Sequence, residues 1–471
     1  MIDSPSIQSL NAKTMEPWLI VCDDVSKGTH HMRQKGKIYL PKEEGEEECD
    51  YKNRLDRSTI YPAFRCTVRS LSGMAIRKGV EIPKEIPDEM KVHFDSIDGS
   101  GTGFVELVSQ LFMECIGRGM SIILVDYPKE DPEIKTEADR LKSGRRPYWS
   151  VYKASQYVSH RLKIIAGRQV LEQLVLKEEI QTTNGIFGEE TVTQYRVLRP
   201  GEFEIWRPVE QNGQVSFEKI KEESGKTSLD EIPAVVCYGE KMGPLLARPP
   251  LLDLAYLNIE HYQKRSDQSN LLHIGSVPIL TMLGFDKSDV QRVSVGPARA
   301  LVHHNPNAKV GYTEVSGNAY AAIRENIKDL ETHMASLGLS ILAAKFDNQR
   351  TAREASIHEG QQTSDLREIS ISVNSAIKEA SRIHAKWMGF DLESFPSLNI
   401  DLSSVMLDPQ VIAHLSRMVE AGQLSLETMW ETLQQGEILP DGFDSEVEKE
   451  RIADFVNQAL PDPVERGQKV E

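Results

Sequence analysis

Residues Leu251 to Ile341 carry a helix, a strand-rich excursion and a second helix, and no catalytic motif lies on any of the three. The first helix opens after Pro249-Pro250 and reads LLDLAYLNIEHYQKRSDQSNLLHI. The second opens near Asn318 and reads AYAAIRENIKDLETHMASLGLSI. At about 1.5 Å per residue, each would be roughly 35 Å long. Between them lies SVPILTMLGFDKSDVQRVSVGPARALVHHNPNAKVGYTEVSG, rich in Val, Pro and Gly. This order constrains the chain to a protruding helical pair with a small cap, and protrusions of that shape serve assembly.

The two helices differ in what they can bury. In the second, Ala319, Ile323, Ile327, Leu330, Met334, Leu337 and Ile341 recur at three- and four-residue steps. In the first, Leu251, Leu254, Ala255, Ile259 and Tyr262 share one side, and Gln263–Asn270 is then polar all round. A helix that is polar all round does not enter its own domain core, so this half is expected to be exposed or packed among neighbouring subunits. The excursion is short of large apolar side chains beyond Val277, Ile279, Leu280, Met282, Leu283 and Phe285. A lone two- or three-strand unit of that size is marginal, and strands from a neighbouring subunit would complete it.

The remainder reads as an α+β chain. Residues 1–50 look like a loose arm with an acidic run from Glu43 to Asp50. Tyr51 to Ile76 turns helical, with Leu55, Ile60, Phe64, Val68 and Leu71 as apolar markers. Arg54, Arg57, Arg65 and Arg69 accompany them, and solvation or pairing with acids is the plain reading of that basic set. Phe104 to Arg118 is a helix ended by glycine, and SIILVD at 121–126 is a short buried strand stopped by Pro128. Pro147 to Gly239 is mostly β, with Asn184-Gly185 and Asn212-Gly213 as hairpin turns. After a polar stretch, a long helix resumes at Leu366, striped by Ile369, Val373, Ile377, Ala380, Ile383 and Trp387. Three helices close the chain: one capped by Asp408-Pro409 and stopped by Gly422, one around Leu426 to Leu433 stopped by Gly436, and one from Glu446 to Leu460.

Composition excludes several classes. With 39% hydrophobic and 27% charged residues the chain is of the soluble globular kind. No run of 18 apolar residues suggests a membrane span, and the N-terminus lacks the pattern of a signal peptide. The five cysteines are widely spaced and form no CxxC, which fits a reducing compartment and argues against a disulfide framework or zinc site. The net charge is −16, and residues 391–471 hold 17 acidic against 5 basic side chains, a surface that repels nucleic acid.

Motifs that imitate chemistry fail on spacing. Gly225-Lys226-Thr227 ends like a phosphate loop, but Ile220 stands where the motif needs glycine. The run from Asp98 resembles the front of a calcium loop, but Ser109 stands where the bidentate glutamate belongs, so a glycine-rich turn leading into the Phe104 helix is the better reading. His30-His31 and His303-His304 are adjacent pairs without a metal cluster around them. There is no GxSxG elbow. No cofactor, metal or catalytic residue is expected.

Several blocks, in order and spacing, resemble the portal-protein family of tailed bacteriophages and prophages. They are DRSTIYPAFRCTVRSLSGM, DGSGTGFVELVSQLFMECIGRGMSIILVDYP, RRPYWSVYKASQYV, PPLLDLAYLNIEHYQKRSDQSNLLHIGSVPIL and VIAHLSRMVEAGQLSLETMWETLQQGEILP. Together they span most of 51–440. The arm at 1–50 and the last thirty residues match nothing in that family.

The resemblance implies an α+β subunit in a ring of about twelve copies around a double-stranded DNA channel at one capsid vertex. It implies an α/β wing at 51–248, with a helical part to 146 and a β-rich part after it. A stem follows at 249–274 and 318–342, enclosing a clip at 275–317. A channel loop at 343–353 would bring Lys345, Phe346, Asn348, Gln349 and Arg350 nearest DNA. A long wing helix at 354–390 and a helical crown at 391–471 complete the set. The implied partners are further copies of the chain, DNA, the terminase motor, a head–tail adaptor and the major capsid or scaffolding protein, in the virion and, during assembly, the host cytoplasm. A non-enzymatic head–tail adaptor or scaffold is the second reading, although adaptors are far shorter. A packaging enzyme is the third and lacks its phosphate loop.

Overall fold

The computed structural model describes residues 4–128, 145–211, 214–275, 279–284, 307–313, 317–339, 352–399, 409–435, 438–439 and 442–459. Contacts divide the chain into units of residues 1–400 and 401–471. Helices and strands segregate along it as an α+β fold. No helix among the described residues is long and apolar enough to cross a membrane.

The first fifty residues correct the expectation of a loose arm. They form α1 (Leu10–Lys27), α2 (Thr29–Lys35) and the start of α3 (Glu48–Arg57). The Ser9 hydroxyl caps α1 by accepting from the Ala12 amide and shares a 2.8 Å hydrogen bond with Tyr157. Ala12, Met15, Leu19, Cys22 and Val25 recur at helical steps, and all are buried. The surface they cover is a sheet more than a hundred residues downstream, which local composition does not reveal. The helical stretch expected from Tyr51 to Ile76 is broken. Ser58 turns extended after α3, and Pro62 sits just before α4 (Ala63–Ala75), where a proline's predecessor avoids the helical region.

A short strand β1 (Val80–Glu81) and helix α5 (Asp88–Lys91) lead to the Asp98 turn. There the Asp98 carboxylate accepts from the Ser100 and Thr102 amides at 2.9 and 3.0 Å and from both their hydroxyls. Partial burial pushes this carboxyl up, but those hydrogen bonds outweigh it and hold it well below its usual range. The turn leads into α6 (Phe104–Arg118) and then β2 (Met120–Asp126), as the sequence predicts.

The β-rich section runs β3 (Tyr148–Lys153), β4 (Tyr157–Ile165), β5 (Arg168–Asn184), β6 (Gly188–Arg199), β7 (Glu202–Gln211), β8 (Gln214–Lys219), β9 (Gly225–Lys226), β10 (Ala234–Tyr238), β11 (Glu240–Gly243) and β12 (Leu246–Arg248). One sheet has the order β10-β2-β3, and a meander follows β4-β5-β6-β7-β8 with β9 also on β7. The Asn184-Gly185 hairpin is present, with Gly185 at φ +74°. Gln211 pairs with Gln214 around the second expected turn, whose Asn212 and Gly213 lie outside the described residues.

Strand β2 is buried from Met120 to Val125 because both of its faces are covered. Met120, Ile122 and Leu124 pack with Ala12, Met15 and Leu19 of α1, and with Leu174, Leu176 and Leu198 of the meander. The other face meets α6 and a later long helix. Burial of side chains of this size contributes about 2 kcal/mol each. A polar bridge ties the two sheets together. Arg196 of β6 donates to Glu178 at 2.6 Å and to Asp126 at 2.9 Å, and Gln194 donates to the other Glu178 oxygen at 2.6 Å. Burial raises the Glu178 carboxyl, but Arg196 and the hydrogen bonds prevail and leave it below its usual value.

Beyond β12 come α7 (Leu252–Gly275), β13 (Ile279–Leu283), β14 (Lys309–Thr313) and α8 (Gly317–Met334). The long helix α9 (Ala352–Met388) starts earlier than the Leu366 predicted from its stripe, and β15 (Ser397–Leu398) pairs with β1. The second unit contains α10 (Pro409–Glu420), α11 (Leu426–Gln435) and α12 (Ser445–Ala459). Gly422 follows α10 at φ +69°, and Trp430 meets Phe443 edge-on at 5.5 Å. Asp408 and Gly436 lie outside the described residues.

Helix α9 is pinned to the first sheet by its C-terminal half. Trp387 donates to the Val125 carbonyl at 3.0 Å, and Ser372 accepts from the Tyr238 amide at 2.9 Å. His384 is fully buried there. Trp149 Nε1 donates to its Nδ1 at 3.1 Å, so its proton sits on Nε2 and is donated to His93 Nδ1 at 2.9 Å. Burial, then the nearby His93 and Arg146, push His384 from 6.5 down to about 3. The folded chain therefore keeps His384 neutral where the unfolded chain protonates it. Stability is intact above pH 6.5 and falls as pH drops toward 3, by up to about 1.4 kcal/mol per pH unit from this group. Thermal midpoints measured across that range should decline more steeply for the native chain than for His384→Gln. Equal slopes would show that His384 contributes nothing to the decline.

Candidate functional site

The helical pair is the feature that sequence alone singled out, and its base is set by a close backbone contact. Gly119, at φ +86°, lies so near the strand end that an added Cβ would stand 2.7 Å from the Arg248 carbonyl carbon and 2.8 Å from the Pro249 nitrogen. The Gly119 carbonyl accepts from the Gly239 amide at 2.6 Å. Pro249 then accepts from the Leu252 amide, and Arg248 closes on the Asp253 carboxylate through two 2.9 Å bonds. These contacts set where α7 leaves the sheet.

Leu251, just before α7, and Leu254, Ala255 and Tyr262 on it are buried, with Ile259 half-buried. On α8, which lies along α7, Ile327, Leu330 and Met334 are buried and Ile323 is half-buried. Leu337 is corrected: it is 47% exposed. Residues 335–339 form a π-helical turn, whose smaller rotation per residue moves Leu337 off the stripe. Ala319 and Ile341 of the expected stripe fall on residues whose side chains are not described. Tyr320 donates to the Leu271 carbonyl at 3.1 Å and fixes the far end of the pair.

The polar half of α7 departs from the expectation that it is exposed or packed among neighbouring subunits. It packs within its own chain, against residues 39–64. Gln263 donates to the Tyr39 carbonyl at 2.9 Å, Ser266 shares a 2.7 Å bond with Ser58, and Arg57 donates to Asn270 at 3.2 Å. Higher up, Asn258 accepts from the Phe64 amide at 3.1 Å and donates to the Tyr61 carbonyl at 2.8 Å, so it caps α4 from outside. Buried Arg54 closes on Glu46 through two 2.8 Å bonds and also donates to the Pro41 carbonyl at 2.8 Å. The Glu46 carboxyl is held down by those bonds from Arg54. The basic set near Arg54 is thus partly structural, while Arg65 and Arg69 remain exposed.

Strands β13 and β14 pair antiparallel from Ile279–Thr313 to Leu283–Lys309, and among the described residues they form a sheet of two strands. Phe285, His303, His304 and the expected channel residues Lys345, Phe346, Asn348, Gln349 and Arg350 lie outside the described residues. The weighed motifs take ordinary roles. Gly225-Lys226 is β9 on the edge of β7, and the Thr227 amide donates to Gly201 at 2.9 Å. His31 is held by Asp24 at 2.5 Å. Among the described residues, the ligand-type side chains close enough for a metal are Glu47, Cys49 and Asp50, all exposed.

Residues 250–388, the helical pair, its cap and α9, match the model of a family described only as a domain of unknown function (DUF4055). No curated protein matches the chain. Among solved structures, one similar chain comes from the neck of a native gene transfer agent (GTA) particle computed with C12 symmetry. It is 10% identical with a TM-score of 0.39, over 79% of this chain and 89% of that one. Another comes from the virion of a native GTA particle, 12% identical with a TM-score of 0.39, over 80% of this chain and 90% of that one.

Two substitutions test the anchorage. Arg54→Ala should lower unfolding free energy by about 3 kcal/mol, because it leaves a half-buried carboxylate unpaired. Amide exchange should then accelerate in 48–57 and 258–270, and unchanged exchange there would show that the clamp does not hold α7. Gly119→Ala should cost about 2 kcal/mol or more in chemical denaturation, combining a left-handed backbone penalty with overpacking against Arg248.

Proposed function

We propose that this chain is the portal subunit of a tailed-phage-like particle: a non-enzymatic ring at one capsid vertex through which double-stranded DNA is packaged and ejected. The observation that carries the reading is the helix–cap–helix order, α7, β13–β14, α8, following an α+β body and followed by the long α9. The sequence blocks that resemble portals fall in the same order along that body. In this reading α7 and α8 form the stem, 275–317 the clip, 343–353 the channel loop and 391–471 the crown. Lys345, Phe346, Asn348, Gln349 and Arg350 face the DNA.

The physical chemistry is consistent with a conduit. A two-stranded cap such as β13–β14 is marginal by itself and gains from strands of adjacent copies. The outward side of α8 carries Arg324, Glu325, Lys328, Asp329 and Glu331, a mixed-charge surface suited to a neighbouring stem. A net charge of −16 per copy disfavours tight DNA binding and lets the duplex slide. The ring would dock the terminase motor, a head–tail adaptor and the capsid or scaffolding protein.

Electron microscopy of the purified protein should show closed rings of about twelve copies, and the same preparation should show no DNA-stimulated ATP hydrolysis. Monomers alone at micromolar concentration in near-physiological salt, together with absence of the chain from particle vertices, would overturn the reading. Binding of monomers to a ring built from another protein would favour the adaptor role.

A further inference from the structure

The meander carries two hairpins that project in opposite directions along β5. The register closes one at Ile165–Arg168 and the other at Asn184–Gly188. Strand β6 first pairs with β5 at Leu174–Leu198, so residues 168–173 of β5 extend past it with β4 alone. At the other end β7 pairs with β6 only at Tyr195–Arg199, so the β5–β6 hairpin extends beyond that pairing. Each finger's strands are therefore unpaired along their outer edges among the described residues. With 17 residues at about 3.3 Å each, β5 holds the two fingertips roughly 55 Å apart.

The fingers have opposite charge and both have apolar tips. From Ser159 to Leu171 the sequence contains Arg161, Lys163 and Arg168 and no acid. From Ile180 to Thr193 it contains Glu189 and Glu190 and no base, while Glu179 at its foot pairs with Lys177 at 3.3 Å. On the basic finger Ile164 is 71% exposed, and on the acidic finger Ile186 and Phe187 are 90% and 97% exposed. Arg161, Lys163 and Arg168 have no acidic partner among the described residues. Exposed apolar side chains ringed by one sign of charge mark a contact surface. Their distance prevents the fingers from neutralising each other within one chain.

We propose that the basic β4–β5 finger of one copy docks on the acidic β5–β6 finger of the next copy. The occupant is a second copy because the complementary surface is present on this same chain, with matched charge, matched apolar tips and open strand edges. Two different patches in contact make a head-to-tail interface, which propagates around a ring and closes when the rotation allows. The proposal rests on the ring reading above and supplies one of its contacts. Arg161 and Lys163 would face Glu189 and Glu190, while Ile164 and Ile165 cover Ile186 and Phe187. Such a contact weakens as salt screens it.

Charge reversal tests it on the full chain. Lys163→Glu with Arg168→Glu makes both fingers acidic; Glu189→Lys with Glu190→Lys makes both basic. Circular dichroism should match the native chain, since all four side chains are exposed. In sedimentation velocity each variant alone should need about tenfold or more protein to assemble, because like charges then meet. An equimolar mixture of the two should recover native assembly, which a misfolded variant could not do. If the native chain forms rings and the variants form them equally well, or the mixture recovers nothing, this contact is wrong and the ring reading stands. If the native chain forms no assemblies at any concentration tested, both are wrong.

Discussion

Arg54 and Glu46 meet through two parallel 2.8 Å bonds, with Arg54 buried, and much of the helical pair depends on that closure. The guanidinium also ties down the Pro41 carbonyl, which fixes the turn between α2 and α3. With that turn fixed, Tyr39 and Ser58 are positioned to receive Gln263 and Ser266 from α7. A helix face with few apolar residues is thereby held by hydrogen bonds to a partner that cannot move away. Burying such a pair costs desolvation, so its worth lies in fixing one arrangement of the arm. The arm in turn covers β2 with α1, and the same short segment serves both the sheet and the helical pair.

A second constraint is the crowding around Gly119. The chain leaves α6, turns through a left-handed glycine, and runs straight into β2 while the β12–α7 junction passes against the same atom. A side chain at that position would displace the junction and, with it, the direction of α7. The direction of α7 is thus set at the sheet, more than a hundred residues earlier in sequence, and reinforced by Asn258 capping α4.

What the sequence makes legible follows from the range of the forces involved. Helix α6 and strand β2 are readable because a glycine ends one and a continuous apolar run makes the other. The α8 stripe is readable at Ile327, Leu330 and Met334 because one helix face meets one partner. Leu337 is not, since a π-helical turn changes the angle per residue and leaves no trace in composition. The arm at 1–50 is misread for a related reason. Its stripe of Ala12, Met15, Leu19 and Val25 is interrupted by charge and by Pro17, and the sheet it covers forms only in three dimensions. The polar half of α7 is misread because hydrophobic patterning does not register a helix satisfied by Ser, Gln and Asn hydrogen bonds. Of the residues named from the α7 and α8 patterns, Leu254, Ala255, Tyr262, Ile327, Leu330 and Met334 are buried within one chain.

The molecule separates what is settled within one chain from what is left outside. Inside, charges are consumed: Arg196 by Glu178 and Asp126, Arg118 by Asp23 and Glu114, Arg54 by Glu46. Outside, the outer face of α8 and the two meander fingers present exposed charged side chains, with large apolar side chains at the fingertips. A chain selected only for its own stability would gain by burying Ile186 and Phe187, each contributing about 2 kcal/mol once covered. Leaving them at the end of a projecting hairpin forgoes that gain in the isolated subunit. The gain would return when another surface covers them, and in the ring proposed above each neighbouring copy would provide that surface.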